Sequence, residues 1–99
     1  MTFAFQRIVH GGGTILAIAD REIVGMTFEE GELSVTIRSD FYGREECDEE
    51  AALDLARKAT SVNAMGKRIV SLLAEHGLID RTMVLRIGEL HHAQRFVLR

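Results

Sequence analysis

Two runs rich in β-branched and aromatic residues, FAFQRIVH (3–10) and TILAIAD (14–20), stand on either side of three consecutive glycines. The pattern predicts a β-hairpin, because glycine takes positive φ without a Cβ penalty. A glycine loop that cradles phosphate would need a helix directly after it, and here a strand follows. The chain contains no proline, so its other turns fall to its nine glycines and to Asp and Asn. At 99 residues it has the length for one domain, spanning 1–99, around one core.

Beyond the hairpin, REIVG (21–25) predicts a short turn and ELSVTIR (32–38) a half-buried strand. Leu33, Val35 and Ile37 alternate there with Ser34, Thr36 and Arg38. Phe41 and Tyr42 in DFYG are expected to pack over an edge of the core. A helix over 48–59 follows, with Asp48 as its cap and Glu49 and Glu50 at the positive end of its dipole. Its apolar set, Ala51, Ala52, Leu53, Leu55, Ala56 and Ala59, faces about 90° away from Val62, Met65, Ile69, Leu72 and Leu73 on a helical wheel. One straight helix cannot bury both stripes. The weak helix formers Thr60, Ser61, Val62 and Asn63 mark the join, so a second helix is predicted over 62–76, capped by Thr60 or Ser61 and ended by Gly77. TMVLRIG (82–88) and AQRFVLR (93–99), joined by ELHH, predict two last strands, the second with Arg95, Val97 and Arg99 on one face and Phe96 and Leu98 on the other. The order β-β-β-α-α-β-β predicts an α+β domain with two helices packed on a largely antiparallel sheet.

The net charge of −3 conceals an asymmetry. Residues 1–56 hold four basic and twelve acidic side chains, and residues 57–99 hold eight basic and three acidic. A polyanionic partner is therefore compatible with an acidic chain. Cys47 is the only cysteine, which excludes an internal disulfide and fits a reducing cytoplasm. No apolar run is long enough to span a bilayer, and the start lacks the pattern of a signal peptide. No membrane partner is expected.

The Gly66-Lys67 pair in SVNAMGKR (61–68) invites comparison with a nucleotide-binding loop, and the comparison fails. Ser61 stands where the first glycine belongs, Arg68 stands where Ser or Thr would reach magnesium, and a helix is predicted before it. The expected arrangement puts Gly66 on the buried stripe, Asn63 and Lys67 one turn apart on one flank, and Arg68 on the other. Arg57 and Lys58 precede the bend, so Arg57, Lys58, Lys67 and Arg68, with Arg95 of the last strand, are candidates for contacts with a nucleic-acid backbone. Asn63 serves either the backbone at the bend or a ligand. A pocket of Asn63, Lys67, His92 and Gln94 is the candidate arrangement for a small-molecule site. His91 and His92 are adjacent and point to opposite faces of a strand, and no zinc motif is present, so neither a metal nor a cofactor is expected. Cys47 lies among carboxylates that raise its pKa, and no serine sits in a nucleophile motif.

The segments FYG (41–43), ATSVNAMGKRIVSLLAEHGLID (59–80) and VLRIGELHHAQ (84–94), in this order, resemble a family of uncharacterised archaeal proteins known as domain-of-unknown-function family 424. The resemblance runs over nearly the whole chain. It implies an archaeal cytoplasmic protein of α+β fold and brings no established catalytic or binding residues with it.

Three functions follow as expectations. The first is a non-enzymatic module that binds RNA or a ribonucleoprotein and is linked to translation. The second is a protein-interaction module whose acidic first half meets a basic partner. The third is a small-molecule-binding protein or enzyme at Asn63, Lys67, His92 and Gln94. A homodimer is compatible with each.

Overall fold

The computed structural model describes residues 2–96. Val97, Leu98 and Arg99, which the sequence assigns to the last strand, lie outside the described residues. The first hairpin forms as the glycines dictate: β1 (Phe3–His10) pairs antiparallel with β2 (Gly13–Asp20), and Gly11 and Gly12 make the turn with φ of 56° and 84°. Two successive positive-φ residues give the turn a twist that matches the strands it joins.

After a 3-10 turn at Arg21–Ile23 the chain forms a separate two-stranded ribbon, β3 (Thr27–Glu30) and β4 (Leu33–Thr36). A single-turn helix α1 (Ser39–Tyr42) and an edge strand β5 (Glu45–Cys47) lead to α2 (Glu49–Lys58). Asp48 caps α2 as expected, its carboxylate accepting from the Ala51 N–H at 2.9 Å. Then come β6 (Ser61–Met65), α3 (Lys67–Glu75), a 3-10 turn at Arg81–Met83, β7 (Leu85–Ile87) and β8 (Leu90–Phe96).

The main sheet runs β5-β1-β2-β6-β8-β7. Every neighbouring pair is antiparallel except β2 and β6, which run parallel. Helices α2 and α3 cover one face, burying Phe3, Leu16, Ile18, Val62, Ile69 and Leu73. The ribbon and α1 cover part of the other, over Ala17, Ala19, Ile37, Tyr42, Met65 and Leu90. The α+β class and the two-helix cover stand.

The helix expected to begin at residue 62 begins at Lys67, and residues 61–65 are a central strand instead. Val62 and Ala64 face the helices, while Asn63 and Met65 face the ribbon side. Because both faces are largely buried, the alternation of period two is nearly invisible in the sequence. Thr60 anchors the strand: its N–H and hydroxyl both donate to the Thr14 carbonyl, and its hydroxyl oxygen accepts from the Thr14 N–H, each at 2.9 Å. Two further strands, β3 and β5, were hidden by their acidic composition, which suits short exposed edges. The last hairpin turns at Gly88-Glu89 rather than through ELHH, which places both histidines within β8.

Candidate functional site

The strand-to-helix junction between β6 and α3 organises the surface around it. Gly66 sits at the junction with φ of 122°, a region that favours glycine. Its N–H donates to the His91 carbonyl at 2.8 Å, tying the junction to β8. Asp20, at the end of β2, is 3% exposed and places its carboxylate under the first turn of α3. It accepts from the backbone N–H of Arg68 at 3.0 Å and of Ile69 at 2.8 Å. Burial pushes its pKa up, against the lowering effect of those two hydrogen bonds.

Arg68 leaves this turn and is consumed by its own fold. Its guanidinium donates to both Glu22 oxygens and to the Thr2 carbonyl, and lies 4.6 Å from the centroid of the Phe3 ring. Lys67 turns the opposite way and pairs with Glu89 at 2.6 Å, both groups remaining open to solvent.

On the helix side of the sheet, α3 and the β7–β8 hairpin bound a groove of about 300 Å³. Lys67 and Ser71, one turn apart on α3, form one wall. Arg86 and His91, directly opposed in the β7–β8 ladder, form the other, and Arg81 enters from the 3-10 turn. Val70, Ala74 and Val84 supply the apolar lining, and no carboxylate is part of it. Burial first, and then the charges of Arg86 and Lys67, hold the His91 imidazole below its usual pKa. Two guanidiniums, the Lys67 ammonium shared with Glu89, a neutral imidazole and a hydroxyl thus line a compact space whose chemistry suits an oxyanion.

Among the residues singled out from sequence, the structure brings only Lys67 into this groove. Arg57 and Lys58 occupy the last turn of α2, exposed, with Lys58 paired to Asp54 at 2.9 Å. They do not adjoin Lys67 and Arg68 at a bend, because the five residues of β6 intervene, a length of about 16 Å at the rise of a strand. Arg95 faces the helix side opposite Val62, and its Nη1 is buried without a protein partner among the described residues. Asn63, Gln94 and His92 do share a face, the ribbon side, with Asn63 directly opposite Gln94. Asn63 accepts a hydrogen bond from the Tyr42 hydroxyl at 3.0 Å. His92 lies against Leu85 across the ladder, its Nε2 buried without a partner among the described residues and its pKa lowered by burial. Lys67 is not with these three: the grooves it lines contain none of them.

Sequence reasoning missed Ser71, Arg81, Arg86 and His91 as a group. The available signal was the Gly88-Glu89 turn, since a two-residue loop there sets Arg86 opposite His91. Among the described residues, no three of His, Cys, Asp and Glu come together in a group that could hold a metal ion. No helix among them is long and apolar enough to cross a membrane.

Comparison with known proteins places the chain without assigning it an activity. The crystal structure of an uncharacterized conserved protein from Methanopyrus kandleri superposes with a TM-score of 0.82 at 20% identity, over 99% of this chain and 93% of that one. At that identity the likeness speaks for the fold. No functionally curated protein matches. The family model described as "Protein of unknown function (DUF424)" matches residues 9–98. The chain therefore belongs to the DUF424 family.

Proposed function

We propose that this protein is a non-enzymatic RNA-binding module that uses the groove between α3 and the β7–β8 hairpin to engage phosphate groups. The observation that carries the reading is the groove's lining: Arg81 and Arg86 face one space with His91 and with Lys67, whose ammonium is shared with Glu89. In a chain of net charge −3, that local excess of cations is what a polyanion would find. The acidic first half supplies less free charge for a basic protein partner than its composition implies. Glu22, Asp40, Glu46 and Asp54 are each paired with a basic group of the chain itself. We place the module in a reducing cytoplasm, as an accessory to ribonucleoproteins of translation, whose tRNA and rRNA are the first RNAs to test.

The test is a binding titration of purified protein with total tRNA and with rRNA over a range of salt concentrations. Affinity should fall with salt, by a log–log slope of about −0.7 for each single-stranded phosphate neutralised. Arg81→Gln and Arg86→Gln should each weaken binding and make the slope shallower, while Arg57→Gln should change little. No binding at low ionic strength, or losses that ignore the groove residues, would overturn the reading.

A further inference from the structure

The groove's shape says more about its ligand than its sign does. The cations do not come from a single element. They converge from three segments, α3, the 81–83 turn and the β7–β8 hairpin, on about 300 Å³. That is the lower end of the size range for small-ligand sites, enough for a phosphate with its sugar. Carboxylates flank the space on both sides. Glu49 and Glu75 line the neighbouring groove along α3, and Glu89 stands at the hairpin turn beside Lys67. A diester backbone running through the groove would meet like charge where it entered and where it left. A chain end would meet it only once.

The charge count points the same way. A phosphodiester carries one negative charge, whereas a phosphomonoester carries close to two at neutral pH and presents three acceptor oxygens. Two guanidiniums line the groove, beside the Lys67 ammonium shared with Glu89 and the Ser71 hydroxyl that donates to Glu75 at 3.4 Å, and this set matches the second better than the first. On these grounds, and resting on the RNA reading above, we infer that the groove seats a terminal phosphate, a phosphomonoester at the end of an RNA strand.

The experiment compares one short single-stranded RNA in three forms, with a 5′-phosphate, with a 3′-phosphate, and with hydroxyls at both ends. Inorganic phosphate and a nucleoside monophosphate are titrated separately against the His91 imidazole resonances. The inference expects one phosphorylated form to bind at least about tenfold more tightly than the hydroxyl form, as charge-assisted hydrogen bonds allow. It expects Arg86→Gln to remove that difference without removing all binding. Arg81→Gln, which lies off the sheet, should do the same and keeps the test valid should the first variant disturb the hairpin. Equal affinity for all three forms would overturn the terminal-phosphate inference and leave the RNA reading standing. Binding of the monophosphate without binding of any oligonucleotide would keep the phosphate site and overturn RNA as its source. Binding of neither would overturn both.

Discussion

The carboxylate of Asp20 occupies the space that a side chain on Gly66 would need. The contact joins the end of β2 to the start of α3 across 46 positions of sequence, and it gives the buried carboxylate the two backbone donors it caps. The glycine is therefore required twice, by its φ of 122° and by its neighbour.

Gly66→Ala is expected to destabilise the fold by about 2–4 kcal/mol, combining backbone strain with a collision against a carboxylate anchored by two hydrogen bonds. Urea denaturation measures it. A loss below about 0.5 kcal/mol, the range of an ordinary surface change, would contradict the geometry.

Glu22 and Asp20 should pull the pH dependence of stability in opposite directions. The Arg68 guanidinium holds Glu22 down at about 2. The folded value lies below the unfolded one, so the pair's contribution is complete above about 4.5 and fades as pH falls through about 2. Asp20 is raised above its ordinary 3.8, chiefly by burial. Its contribution is complete below 3.8 and is lost as pH rises through the folded value. The stability deficit of Glu22→Gln should accordingly be present at neutral pH and shrink toward pH 2. Urea titrations of the variant and the parent in parallel check this, and a deficit independent of pH would contradict it.

Tyr42 is the only tyrosine, so its ultraviolet titration is unambiguous. Burial pushes its phenol up to about 12. The tyrosinate absorbance should appear near that value in the folded protein and near 10 in denaturant. Tyr42→Phe and Asn63→Ala remove the same hydrogen bond, so a double-mutant cycle should return a coupling of about 1 kcal/mol.

Cys47 should react sluggishly with thiol reagents at neutral pH. Burial, with a smaller push from Asp48, raises its thiol to about 11, leaving little thiolate. Modification rates in native and unfolded protein should differ accordingly, and a native rate equal to the unfolded one would contradict this.

The sequence by itself determined the first hairpin, the Asp48 cap, the α+β class and the break after α2. These rest on local physics: glycines that turn the chain, a side chain that reaches its own helix, and two apolar stripes about 90° apart that no straight helix reconciles. The stripe argument located the break but not its contents. A buried central strand loses the polar alternation that marks an exposed one, so SVNAM at 61–65 read as helix. Only the tertiary structure decided which charges meet. Arg68 is spent on Glu22, Thr2 and Phe3, and Lys58 on Asp54. Arg81, Arg86 and His91, spaced five residues apart in one stretch, meet Lys67 because the strand register and the packing of α3 bring them there. Charge acts through space, and space is what the sequence leaves to the fold.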